Sequence, residues 1–436
     1  MRELRRIRLR ELPFLTPEQL GTARNVCARL RDAVASRPAV IARLGVAPEI
    51  ALPAANWSEQ ADNAIHNLFH HVVRCDPDVV ARLRLFTQPF TGYELARMRS
   101  GTGKTQIPEV GPDFDDRLEE QARRPDAAVE RLAAIQEQLP PEAVITYPRM
   151  LGEIGWELDG RPANHDVFVY QERVALLHEA GVLDWLRERA RRPQGVTLIE
   201  VGGGYGGLAY GLMSLIPGTV RYVICDLPES LLFAHLYLAL TRPGESHRLH
   251  EAGTPSFSTT RPRGFTYVPN YLLDDLSLGD GSVDLAINTL SLAEMSAAQV
   301  RYYAERISRL IGENGLFFEQ NHPVDFARVK DVLPAFFRHR TRASSRLIPA
   351  ITVGEADFWS NRELGGDLDS PRPGWARRVQ LAAWRTRWLV RQPAWGGSRL
   401  RQALKASVPP RFYGMLKTSW NRLRGTREQA SHLQQP

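Results

Sequence analysis

The second half of the chain predicts an α/β protein built on a doubly wound, mostly parallel sheet of the Rossmann kind. Two observations carry that prediction. From Gly195 onward, short β-branched and apolar runs alternate with helical patterns, and strand–helix–strand alternation at this spacing builds a parallel sheet. A glycine-rich run from Leu198 to Gly207 ends the first of these strands and opens the first helix, which is the context in which such loops hold a nucleotide.

The elements follow in order. Residues 1 to about 190 read as mostly helical. Thr16-Pro17-Glu18 is a helix start, with Thr as N-cap and Pro at the first position. Leu20, Ala23, Val26, Cys27, Leu30 and Val34 then recur at helical spacing. Further helical segments are expected near 58–74, 78–85, 125–138, 166–179 and 181–190. Strands are expected at 196–201, 220–226, 265–270, 283–288 and 315–321, with helices at 208–216, 228–240 and 296–311. Alternation in Val379, Leu381 and Ala383 permits a last antiparallel strand. The expected organisation is a helical N-terminal domain over 1–140, a helical cap over 141–190, the Rossmann-like core over 191–390 and a basic tail over 391–436.

Composition narrows the function classes. With 43% hydrophobic and 24% charged residues, the chain is neither disordered, collagenous nor a coiled coil. No apolar run approaches the length of a membrane span. The basic N-terminus lacks the apolar core of a signal peptide. The 3 cysteines, Cys27, Cys75 and Cys225, fit neither a disulfide framework nor a zinc site, so a reducing cytoplasm is the expected compartment. His66, His70 and His71 share a helix face, but nothing local completes a metal set, so no metal is expected. The net charge of +7 is concentrated at the end: residues 371–436 hold 14 Arg and Lys against Glu428 alone. Five of the nine tryptophans, among them Trp384 and Trp388, lie there too. Peripheral contact of this tail with an anionic membrane or glycan is one expectation, and a packed strand or helix over 375–390 is the other. No nucleic-acid reader motif accompanies the charge.

The glycine loop admits two nucleotides. Gly202, Gly204 and Gly207 satisfy G-x-G-x-x-G, which suits a dinucleotide. Glu200, however, precedes Gly202 by two residues and gives E-x-G-x-G-x-G through Gly204 and Gly206. A carboxylate at that strand end suits an amino-bearing ligand better than a pyrophosphate, and this segment resembles class I S-adenosylmethionine-dependent methyltransferases. Asp226 ends the second strand, where an acid accepts ribose hydroxyls in either case. Three readings therefore stay open: a methyltransferase, an NAD(P)-dependent oxidoreductase using the same loop, and a non-catalytic, basic surface-binding protein.

A closer resemblance comes from the flanks. The runs GGGYGGLAYGL, YVICDLPESL, INTLSLAEMS and FFEQNHP, with the upstream stretch 148–183, resemble the sugar O-methyltransferase family of bacteria over about residues 148–322. The resemblance implies S-adenosylmethionine as cofactor and a sugar hydroxyl, within a glycan or glycosylated metabolite, as methyl acceptor. It also raises the cap residues Glu153, Asn164, His165 and Tyr170, with Arg173, as acceptor or cofactor contacts.

Methyl transfer from a sulfonium needs in-line alignment and removal of the hydroxyl proton. Candidates lie beyond the carboxyl ends of the strands. His322, after the fifth strand, is the preferred general base. Glu294, after the fourth, is the second candidate, or an acid that favours the following helix N-terminus. Asn288 is expected on the cofactor side and Asn321 on the acceptor side, although each equally suits a loop brace. Tyr205 is expected to cover the methionine part of the cofactor. Asp274, with Asp275, falls where adenine is usually met in this fold. Ser100-Gly-Thr-Gly-Lys-Thr105 mimics a phosphate loop, but Met98 stands where its first glycine belongs.

Overall fold

Residue-by-residue patterning explains why the central strands stack side by side. In a computed structural model, β4 (Val196–Val201), β7 (Gly264–Pro269), β8 (Leu285–Thr289) and β9 (Leu316–Gln320) are buried on both faces, and β5 (Val220–Asp226) up to its last residue. Strands covered on both faces belong in the middle of a parallel sheet. The structure describes residues 4–53, 65–87 (backbone only for 65–67), 111–116, 127–254, 262–321, 329–345, 347 and 355–363. The chain divides into two units. The first spans 1–345 with 351–370 and holds all the described residues except Leu347.

The sheet has eight strands in the order β10-β11-β9-β8-β4-β5-β7-β6, where β6 is Ser246–Leu249, β10 is His339–Ala343 and β11 is Ala356–Ser360. All pairs are parallel except those of β11, which runs antiparallel between β9 and β10. The chain winds outward from β4 through β5 and then returns to β8 on its other side. The order thus reverses between β4 and β8, which opens a crevice at their carboxyl ends. The Rossmann-like fold is therefore as expected, with helices α6 (Gly207–Leu215), α7 (Pro228–Thr241) and α8 (Ala297–Ile311) within a residue or so of the predicted ranges. Within this sheet the described strand that runs against the others is β11. Residues 379–383 lie outside the described residues, as do 88–110 and the basic tail.

The N-terminal region is built on α1 (Pro17–Leu44). Its Thr16–Gln19 capping box and its buried stripe of Ala23, Val26, Cys27 and Leu30 follow the expected pattern, and it packs on α7. The helices α2 (Ile65–Val72), α3 (Ala127–Gln136), α4 (His165–Glu179) and α5 (Val182–Ala190) fall inside or beside the predicted segments. The first 190 residues are not all helix and loop, because β1 (Leu4–Ile7), β2 (Gly155–Leu158) and β3 (Arg161–Ala163) form a three-stranded antiparallel sheet. Asp159 and Gly160 turn the β2–β3 hairpin at φ 50° and 78°, the doubly positive geometry of a type I′ turn. Among the described residues no helix is long and apolar enough to cross a membrane.

Candidate nucleotide site

The loop between β4 and α6 is shaped by glycines that no other residue replaces without strain. Gly202, Gly204 and Gly206 all have positive φ, at 78°, 54° and 85°. At Gly202 a Cβ would also lie 2.0 Å from Ser291 Oγ. The backbone therefore runs hard against the turn after β8, and the pocket at the switch point passes directly over it. Gly202, Asp226, Asn270, Ser291 and Glu294 line that pocket, together with Pro53 from the N-terminal region.

Asp226 ends β5 and accepts from its neighbour, Leu227 N, at 2.8 Å. Burial pushes its carboxyl up to about 7, the Leu227 and Gly204 N–H groups pull the other way, and Glu294 and Glu229 push it further up. The acid thus ties the glycine loop to β5 and shares the pocket with a second carboxylate, Glu294. Asn270, immediately after β7, donates through Nδ2 to the carbonyls of Ile50 (3.3 Å) and Ala51 (3.0 Å). Its Oδ1 is buried without a partner.

Glu200 faces the cap side. It is 2% exposed, accepts from Tyr222 OH at 2.9 Å, and lies under Gly203, whose added Cβ would be 3.6 Å from Oε2. Burial pushes it up to about 7, while Tyr222 and the nearby Arg173 guanidinium act downward. Arg173 is itself buried and donates through Nε to Gln320 Oε1 at 3.0 Å.

The cap is organised by a residue that sequence reading missed. Arg84 is buried and pairs with Glu153 Oε2 at 2.8 Å and with Asp166 Oδ2 at 2.6 Å. It also donates to Thr87 Oγ1, and its guanidinium lies 3.5 Å from the centre of the Tyr205 ring. Glu153 Oε1 is taken by Asn164 Nδ2 at 2.6 Å, and Asn164 also donates to Ile154 O and caps α4 through Val167 N. Glu153 thus holds Arg84, and Asn164 holds Glu153 and the start of α4. Tyr205 is likewise fully buried, set edge-on to Tyr170 and Tyr237. Tyr170 belongs to the same aromatic cluster. His165 sits edge-on to Phe168 at the start of α4.

The two asparagines are braces as well. Asn288 donates to Val201 O (2.8 Å) and Ser291 Oγ (2.6 Å), and it accepts from Leu292 N and Asn321 Nδ2. Asn321 accepts from Ala293 N and donates to Glu319 Oε1 as well as Asn288. Asn288 thus uses all four of its hydrogen-bonding positions and Asn321 three of four, one acceptor position on its Oδ1 remaining. Tyr302 and Arg306 on α8 engage Asp274 at the surface, and it is not among the residues that line the pocket. His322 lies outside the described residues. Among the described residues no group of three or more His, Cys, Asp or Glu side chains is placed to hold a metal.

No protein-family model matches this sequence, and no curated protein matches it. Solved structures do match over part of the chain. One is a methyltransferase from Haloferax volcanii in complex with the Trm112 methyltransferase activator, at 14% identity over 46% of this chain and 96% of that one, with a TM-score of 0.27. Human N-acetylserotonin methyltransferase, in complex with SAM, is 16% identical over 45% of this chain and 57% of its own, at 0.28. Geranyl diphosphate C-methyltransferase from Streptomyces coelicolor, with Mg2+, geranyl diphosphate and S-adenosyl-L-homocysteine, is 12% identical over 43% and 82%, at 0.26.

Proposed function

We propose that the chain is an S-adenosylmethionine-dependent O-methyltransferase whose acceptor is a sugar hydroxyl of a glycan or glycosylated metabolite. The observation that supports this most is the pairing of two acids with one glycine loop at the switch point. Asp226 borders the pocket where ribose hydroxyls need an acceptor, and Glu200 lies beneath Gly203 where an ammonium group needs a counter-charge. A dinucleotide has no use for the second acid. The close passage at Gly202 and the unpartnered Oδ1 of Asn270 fit the same occupant, since both call for a ligand lying against backbone and offering a donor.

When bound, S-adenosylmethionine supplies a strongly electrophilic methyl group on a sulfonium. The chain's own residues hold, orient and deprotonate. Asp226 and the loop amides fix the nucleoside end, while Glu200, loaded by the ligand's ammonium, becomes an anion at neutral pH. The hydroxyl proton passes to a base of this chain as the oxygen gains the methyl and S-adenosylhomocysteine leaves. We assign that base to His322, with Glu294, which lines the pocket, as the alternate. The resemblance noted in the sequence carries the sugar acceptor. The test is mass spectrometry of glycans and glycosylated metabolites from a deletion strain. Loss of one methyl increment from a sugar, restored by the parent gene and not by an Asp226→Asn variant, is the expected result. An unchanged glycan profile with a methyl lost elsewhere would overturn the acceptor assignment.

A further inference from the structure

The N-terminal region contributes a strap to the pocket. A short helical turn, Pro48–Ala51, is followed by Leu52 and Pro53, and Pro53 lines the pocket. Apolar burial holds this strap only in part, because Ala51 is fully buried while Leu52 is 45% exposed. Two side chains of the pocket do the rest. Asn270 Nδ2 donates to Ile50 O and Ala51 O, and Gln299 Nε2 donates to Leu52 O at 2.9 Å. Gln299 Oε1 meanwhile accepts from Ser296 N, in the capping box of α8.

The amide of Asn270 is used at one end only. Two carbonyl acceptors fix which end is nitrogen, so the buried oxygen without a partner is Oδ1. A buried acceptor left unmade is destabilising and gains when a donor arrives. We propose that Asn270 couples closure of the 48–53 strap to binding of the adenine end of the cofactor, Nδ2 holding the strap while Oδ1 accepts from the exocyclic 6-amino group. This rests on the cofactor reading above and adds two things to it: a base-reading atom, and a segment far upstream in sequence that orders with the ligand. A 6-oxo purine would set an acceptor against an acceptor.

The test uses the full chain, with S-adenosylhomocysteine and its 6-oxo analogue S-inosylhomocysteine as probes. Calorimetry measures binding, and hydrogen–deuterium exchange follows the peptide covering 46–53. In the parent, saturating S-adenosylhomocysteine should slow exchange at the Ile50, Ala51 and Leu52 amides, and the 6-oxo analogue should bind at least about tenfold more weakly. Asn270→Asp keeps an oxygen toward the base but sets an acceptor against the strap carbonyls. It should speed strap exchange without ligand and remove the ligand-induced protection, yet keep the preference for the 6-amino base. Gln299→Glu keeps the capping box and loses only the strap donor, so it should loosen the same peptide and serves if the first variant does not fold. Binding of S-adenosylhomocysteine with unchanged strap exchange would overturn the coupling while the cofactor reading stands. Equal affinity for the two analogues would overturn the role of Oδ1. No binding of either would overturn the cofactor reading, and the proposal with it.

Discussion

Replacing Arg84 by Met should be the most damaging conservative-volume change in the cap. The guanidinium is 2.8 Å from Glu153 and 2.6 Å from Asp166, and the three side chains are 3%, 2% and 1% exposed. Removing the cation takes the Arg84 charge away from two buried carboxylates, and breaking a buried pair by deleting one partner costs about 3–5 kcal/mol. The stack on Tyr205, 3.5 Å from guanidinium to ring centre, adds about 1–2 kcal/mol in a desolvated setting. Urea unfolding at pH 7, followed by circular dichroism, should therefore show a loss at or above the upper end of that range. Adding Glu153→Gln and Asp166→Asn should recover most of it, because a neutral interior no longer holds uncompensated charge. Since Tyr205 belongs to the glycine loop, any folded single variant should also bind S-adenosylhomocysteine about tenfold more weakly. A loss below about 1 kcal/mol, or a triple variant no more stable than the single one, would refute the reasoning.

Other expectations follow from single positions. Gly202→Ala meets Ser291 Oγ at 2.0 Å and an unfavourable φ of 78°, so calorimetry should find cofactor binding lost while circular dichroism still reports a folded sheet; intact binding would mean the loop has room to move. Glu200 is raised in the folded state to about 7 from 4.5. The stability linked to its proton is thus fully present below the unfolded value and lost as pH rises through 7. Relative to Glu200→Gln, the ligand-free parent should lose up to about 3 kcal/mol between pH 5 and 8, and parallel melting curves across that range would exclude the shift. His322→Ala should lower turnover by about 10²–10⁴-fold and abolish a single ionisation near neutral pH, with cofactor affinity unchanged. If the mutant keeps its rate, Glu294 is the residue to test next.

The core was legible because each central strand is a short apolar run bounded by a helix pattern, as in Val196–Val201 and Leu285–Thr289. The edges were not. Ser246–Leu249 is short and polar, and β10, His339–Ala343, is polar at four of its five residues, so neither shows the apolar run of the central strands. The β2–β3 hairpin did leave a signal, Asp159-Gly160 between Leu158 and Arg161, but Pro162 in the second strand obscured the pattern. The places of Glu200 and Gly202 at the end of β4 and of Asp226 at the end of β5 were readable, because the glycine motif marks the first strand end and the next apolar run marks the second. Arg84 was not, since its partners Glu153 and Asp166 lie 69 and 82 residues away and no spacing rule links them. Asn270 drew no attention in the sequence, since the two carbonyls it holds, those of Ile50 and Ala51, lie about 220 residues away. The bonds of Asn288 and Asn321 to backbone and side chains at the strand ends were not legible, because they join β4, β8 and β9 across long stretches of sequence.

Calorimetric titration of the full chain with S-adenosylhomocysteine and, in parallel, with NAD tests the central assignment most directly. The account predicts binding of S-adenosylhomocysteine in the micromolar range, weakened by about 1–3 kcal/mol in Asp226→Ala, and no heat from NAD. Binding of NAD without S-adenosylhomocysteine would contradict it and make the glycine loop that of an oxidoreductase.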